Sequence, residues 1–155
     1  SLALMMLRKA RNHHEEERQP QVIQTASEFF KSVTGDRYRG LRSPVGKSEI
    51  IAVTAAGEGR QASQLSRGTR EQMYLSLRFG LVREFSLHTT SLPVIVDDAL
   101  VNSDPRRASA AAEGFARLVD TNQVLVFTCH PEIVQQFREA CADAQIYKLE
   151  SLPES

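Results

Sequence analysis

Two short apolar runs, each closed by residues able to do chemistry, constrain this chain more than any other feature. Leu92-Pro93-Val94-Ile95-Val96 ends in Asp97-Asp98, and Val124-Leu125-Val126-Phe127 leads into Thr128-Cys129-His130. Apolar runs of this length read as strands buried in a parallel sheet. Between them Asp104-Pro105 starts a helix, with Asp104 as N-cap and Pro105 at the first helical position, running through alanines to about Val119. Asp120-Thr121-Asn122 makes a turn. Another helix begins at Pro131 and carries Cys141 late, and Ile146-Tyr147-Lys148-Leu149 is expected as a final strand. The expected fold class is α/β: a parallel unit with right-handed crossovers, whose ligands bind beyond the carboxyl ends of the strands.

Upstream, residues 2–18 read as a helix with Leu4, Met5 and Leu7 in front and a charged tail behind. Its apolar face is too small to fold alone, which suggests the end of a longer helix or coiled coil over 1–19. His13 and His14 lie in the tail on different helix faces and read as a solvated pair. Pro20 restarts a helix through Val22, Ile23, Ala26, Phe29, Phe30 and Val33, which Gly35 ends. Tyr38–Arg42 and Glu49–Thr54 form a hairpin. Its Gly46-Lys47-Ser48 imitates the end of a phosphate-binding P-loop, yet position 41, where the first glycine belongs, is Leu41. A strand rather than a helix follows, so Lys47 reads as a turn residue. Ala55 to Gln64 is a connector.

The connector ends at Leu65-Ser66-Arg67-Gly68-Thr69-Arg70-Glu71-Gln72, a polar loop opening into a long helix over about Thr69–Phe85. Thr69 as N-cap with Gln72 three residues on gives the capping-box spacing, and Glu71 suits the positive end of the helix dipole. Gly68 lets a ligand approach the backbone and Ser66 adds a hydroxyl, the physics of an anion or phosphate site. Tyr74, Leu77, Leu81 and Phe85 make a stripe expected to face the core.

Nineteen basic and nineteen acidic residues cancel, so net charge carries no signal for nucleic acid. Two cysteines in 155 residues suggest a reducing compartment rather than a disulfide framework. No apolar run is long enough to span a membrane, and Leu2–Leu7 is too short for a signal sequence, so a cytoplasmic location is expected.

At the strand ends, Asp97 suits a magnesium ion, Asp98 a base that orients attacking water, and His130 a contact to a γ-phosphate or that water. A zinc site from Cys129, His130 and Cys141 is disfavoured: adjacent strand-end residues point to opposite faces, and no Cys-x-x-Cys pair exists.

The ordered set resembles the C-terminal half of an ABC-type ATPase head. Leu65-Ser66-Arg67-Gly68-Thr69 is similar to the signature motif, and Val94-Ile95-Val96-Asp97-Asp98 to Walker B. Asn102-Ser103-Asp104 is similar to the D-loop, and Phe127-Thr128-Cys129-His130 to the switch histidine. The resemblance covers about residues 20–150 and is to the chromosome-maintenance and DNA-repair group (SMC, RecN, YhaN-like). Glu71-Gln72 and Tyr74-Leu75-Ser76-Leu77-Arg78 look closest to the YhaN-like members. It implies that 20–155 is the C-terminal lobe of a P-loop NTPase head, with ATP and Mg2+ as cofactors. Ser66, Arg67, Gly68, Thr69 and Gln72 would face the γ-phosphate of ATP held by a partner head. Asp97 would hold the magnesium shell, Asp98 would stand for the catalytic glutamate, Asp104 for the D-loop aspartate and His130 for the switch histidine. Arg67 departs from a usual glycine, and Asp98 is one methylene short.

No P-loop precedes Ser66, so the chain is expected to be a fragment that needs the N-terminal lobe of its own protein and neither binds ATP tightly nor hydrolyses it alone. Implied partners are a second head, as a homodimer, and DNA; no membrane is implied. The alternatives are a non-catalytic scaffold with a degenerate site, which Arg67 and Asp98 favour and the joint presence of Asp97, Asp104 and His130 disfavours, and a transporter ATPase.

Overall fold

A computed structural model describes residues 21–44, 49–100 and 103–149. The expected coiled-coil end at 1–19 and the Gly46-Lys47-Ser48 turn lie outside the described residues. The first described helix, α1, covers 21–33. It stops where expected: Gly35 N–H donates to Ser32 O and Asp36 N–H to Lys31 O, each at 3.0 Å. Gly35 takes φ of +58°. This is the pair of bonds by which a left-handed glycine closes a helix end.

The hairpin forms as β1 (Tyr38–Arg42) and β2 (Ile51–Thr54), antiparallel with Leu41 opposite Ala52. The connector is more structured than the sequence suggested. Gly59–Gln61 adds a third strand, β3, with Ala52 opposite Arg60. A 3-10 turn over Ala62–Gln64 then leads to Leu65, which is buried and anchors the loop.

Helix α2 runs from Arg67 to His88, starting earlier and ending later than expected. Of its expected core stripe only Leu77 packs on the core, half-buried; Tyr74, Leu81 and Phe85 are exposed, and the buried side is Thr69, Gln72, Met73, Ser76, Phe79, Gly80 and Glu84. Close approach of α1 accounts for this. A Cβ on Gly80 would stand 2.5 Å from Val22 O and 3.0 Å from Ala26 N, so the crossing selects small residues, which hydropathy does not score as core. Ser76 satisfies itself by donating to Gln72 O at 2.6 Å.

The parallel unit follows as β4 (Val94–Asp97), α3 (Pro105–Ala116), β5 (Val124–Phe127) and α4 (Pro131–Ala140). Strands β4 and β5 pair in parallel with Ile95 beside Leu125 and Asp97 beside Phe127. The final strand expected at Ile146–Leu149 does not form; the segment has no regular structure and Tyr147 and Leu149 are exposed. Cys141 is the residue after α4, not part of it.

Helices α1, α2 and α3 meet around three rings. Phe29 stacks on Phe79 with centroids 4.2 Å apart and planes at 9°, and Phe115 meets each edge-on at 6.0 Å. Gly114 makes room for Phe29. Asn122, in the expected turn and buried, donates through Nδ2 to Ser86 Oγ at 2.7 Å and Leu92 O at 2.8 Å, tying the end of α2 to the approaches of both parallel strands. Among the described residues no helix is long and apolar enough to cross a membrane.

Candidate functional site

The start of α2 is built differently from the expected capping box. Ser66, not Thr69, is the N-cap: its Oγ accepts the Thr69 N–H at 3.3 Å and lies 2.9 Å from Thr69 Oγ1. Thr69 is buried as the third helical residue. A serine one turn earlier wins because serine caps better than threonine and brings Leu65 into the core. Arg67 and Gly68 therefore lie inside the first turn, where free N–H groups and the dipole favour an anion. Arg67 is turned to solvent, its Nε 3.0 Å from Glu71 Oε1. Glu71 sits one turn in and answers Arg67 rather than the helix end.

Gln72 is buried, and its Oε1 lacks a hydrogen-bond partner among the described residues. A small cleft of about 60 Å3 separates this turn, at Gly68, Gln72 and Leu75, from Ala99, Ser103 and Arg107. The signature-like turn and the D-loop-like segment thus share one cleft. On the far side Asp104 caps α3, its Oδ1 accepting Arg107 N–H at 3.2 Å while its Oδ2 lies 2.8 Å from Arg107 Nε. Sequence reading missed Arg107, although an acid at an N-cap followed by an arginine three residues on is a recognisable pairing distance.

Asp97 ends β4 and Asp98 follows it directly, and both are exposed. The Asp98 N–H donates to Phe127 O at 3.0 Å, extending the parallel ladder by one bond. Its φ of +44° then turns the chain out of the strand. Aspartate is among the few residues that tolerate this left-handed region. Leu100, almost fully buried, pins the loop that follows.

At the end of β5, His130 N–H donates to Thr128 Oγ1 at 3.2 Å, and Pro131 opens α4 directly after. His130 Nδ1 lies 3.4 Å from Glu132 Oε1. Asp98, Cys129 and His130 come together here, with their ligand atoms all within 4.8 Å of one another. The disfavoured set of Cys129, His130 and Cys141 does not assemble, since Cys141 is not in the group and Asp98 is. The expected opposition of faces is what needs correcting: Cys129 and His130 lie past the strand in a tight bend, so strand alternation does not separate them.

The proposed residues thus fall into two groups. Gly68 and Gln72 line the cleft, Ser66, Arg67 and Thr69 belong to the same first turn of α2, and Asp104 caps the facing helix through Arg107, which lines the cleft. Asp97, Asp98 and His130 occupy the carboxyl edge of the parallel pair, where such sheets place their ligands. The first group offers N–H donors to an anion, and the second offers carboxylate oxygens and an imidazole, with the Cys129 thiol beside Asp98 and His130.

The fold is similar to part of solved SMC head domains. The chain superposes on the Smc head domain with a coiled coil and joint from Pyrococcus yayanosii with a TM-score of 0.67, at 14% identity, over 84% of this chain and 26% of that one. It superposes on a structure from work on ATP-driven dimerization and DNA-stimulated activation of SMC ATPases with a TM-score of 0.64, at 16% identity, over 81% of this chain and 76% of that one. In sequence the chain is 28% identical over 136 residues to the uncharacterized protein YhaN of Bacillus subtilis (strain 168), a match that covers 87% of this chain. The chain spans only 14% of that relative's length. No family model matches.

Proposed function

We propose that this chain is the C-terminal half of an ATP-binding and hydrolysing head that closes on a second head around ATP and drives a clamp-like, DNA-associated cytoplasmic protein. The observation that carries the reading is the meeting of Asp98 and His130, from different strand ends, within 4.8 Å at the carboxyl edge of the parallel pair. A base and a histidine at that edge suit in-line attack of water on a γ-phosphate. Asp98 takes the proton of the attacking water, and His130 orients that water or the terminal phosphate. Asp97 offers hard oxygens beside them, the donor type magnesium prefers. When bound, Mg2+ neutralises charge on the phosphates.

Ser66 offers its hydroxyl and Arg67 and Gly68 their free N–H groups to the γ-phosphate of ATP on the partner head, with Thr69 holding the Ser66 hydroxyl in place, Gln72 lining the cleft and Asp104 holding the facing loop. The P-loop is contributed by another part of the same protein. A parallel sheet is normally covered on both faces. Here Ile95, Leu125 and Phe127 share one face, and Ile95 is 66% exposed. That face is the seat of the P-loop lobe.

The test is Mg2+-dependent ATP turnover in the full-length protein with Asp98→Asn as control. Turnover falling about 100-fold or more supports the reading. Turnover by the 155-residue chain alone, abolished by Asp97→Ala, overturns it.

A further inference from the structure

We propose that Asp98, Cys129 and His130 form a binding site for a thiophilic divalent cation of the zinc class. The three donors are a carboxylate, a thiol and an imidazole, with ligand atoms within 4.8 Å of one another. Zinc held tetrahedrally at about 2.0–2.3 Å keeps its donors roughly 3.3–3.8 Å apart. Small χ rotations close that gap, because Asp98 and Cys129 are exposed and His130 is half-buried.

The backbone brings the donors together. The left-handed turn at Asp98, with φ of +44°, takes its carboxylate off the strand's alternation. The bend at Thr128–His130, closed by the His130 N–H on Thr128 Oγ1 at 3.2 Å, lets two consecutive side chains converge. Glu132 Oε1, 3.4 Å from His130 Nδ1, gives the ring the carboxylate partner that commonly orients metal-binding histidines.

Donor type selects the ion. Thiolate and imidazole favour zinc-class metals, whereas magnesium keeps to oxygen. Three protein donors leave a fourth position for water. A bound ion also occupies Asp98 and His130 and so blocks hydrolysis; that consequence rests on the roles proposed above, and the site itself does not.

The probe is Co2+ titrated into the reduced chain without nucleotide. The expected result is a thiolate-to-cobalt charge-transfer band at one equivalent, kept in excess Mg2+ and removed by Zn2+. The band persists in Cys141→Ser and disappears in Cys129→Ser, and cobalt binds about 100-fold more weakly or worse in Asp98→Asn and His130→Gln. No band, a band surviving Cys129→Ser, or parental affinity in Asp98→Asn overturns the proposal. Because no ATP is present, failure here leaves the ATPase reading standing, and loss of turnover in Asp98→Asn leaves this one standing.

Discussion

Ser66 Oγ accepts the Thr69 N–H at 3.3 Å and lies 2.9 Å from the Thr69 hydroxyl, so the serine proposed to meet a phosphate also holds the first turn of α2. The two roles separate by substitution. Ser66→Ala removes the cap and costs about 1 kcal/mol in a denaturant melt. Ser66→Asp keeps the cap and the melting midpoint, yet places a carboxylate against the phosphate. It is expected to abolish ATP-dependent head pairing of the full-length protein on a sizing column; undiminished pairing counts against the proposed phosphate contact.

Gly68 is not required by the fold. A Cβ there would meet Arg107 Nη1 at an ordinary 3.6 Å, and alanine favours a helix over glycine by roughly 0.5–1 kcal/mol. Gly68→Ala is therefore expected to raise stability in a thermal melt while weakening ATP-dependent pairing. Arg67→Ala, which breaks only an exposed pair with Glu71, is expected to leave stability within about 0.5 kcal/mol.

Asp98 sits at a φ of +44°, so its two natural replacements diverge. Asn tolerates the left-handed region and Asp98→Asn is expected to melt like the parent. Asp98→Glu lengthens the side chain by one methylene but costs about 1 kcal/mol of stability. Paired denaturation curves check this, and equal midpoints for the two variants refute the conformational argument.

Gly114 carries the core. A Cβ there would fall 2.1 Å from Phe29 Cε2, and the ring cannot retreat because Phe79 and Phe115 hold it on two sides. Gly114→Ala is expected to lose about 2 kcal/mol in urea unfolding, despite the helix preference of alanine. A neutral result means the ring cluster is looser than its geometry implies.

Elements whose signal is local could be read from the sequence. Asp104-Pro105 and Pro131 mark helix starts, Gly35 a helix stop, and the runs around Val96 and Val126 the parallel strands, because caps, φ preferences and apolar runs act within a few residues. What depended on neighbours could not be read. The largely outward stripe of α2 looks like a core face until Gly80 shows that α1 presses on the opposite side. Strand β3 has little apolar character and forms because β2 offers it an edge. The convergence of Asp98 with Cys129 needed a left-handed residue and a bend, and neither leaves a trace in hydropathy. Capping spacing gives Gln72 only a helix-start role, whereas its burial in the cleft shared with Gly68 and Ser103 depends on the tertiary fold.

Strands β4 and β5 pair only with each other among the described residues, so each has one side whose N–H and C=O groups are free to bond another strand. Such open edges are templates for aggregation. Production of this chain by itself is therefore expected to favour inclusion bodies, and co-expression with the proposed P-loop lobe is expected to raise the yield of purified material.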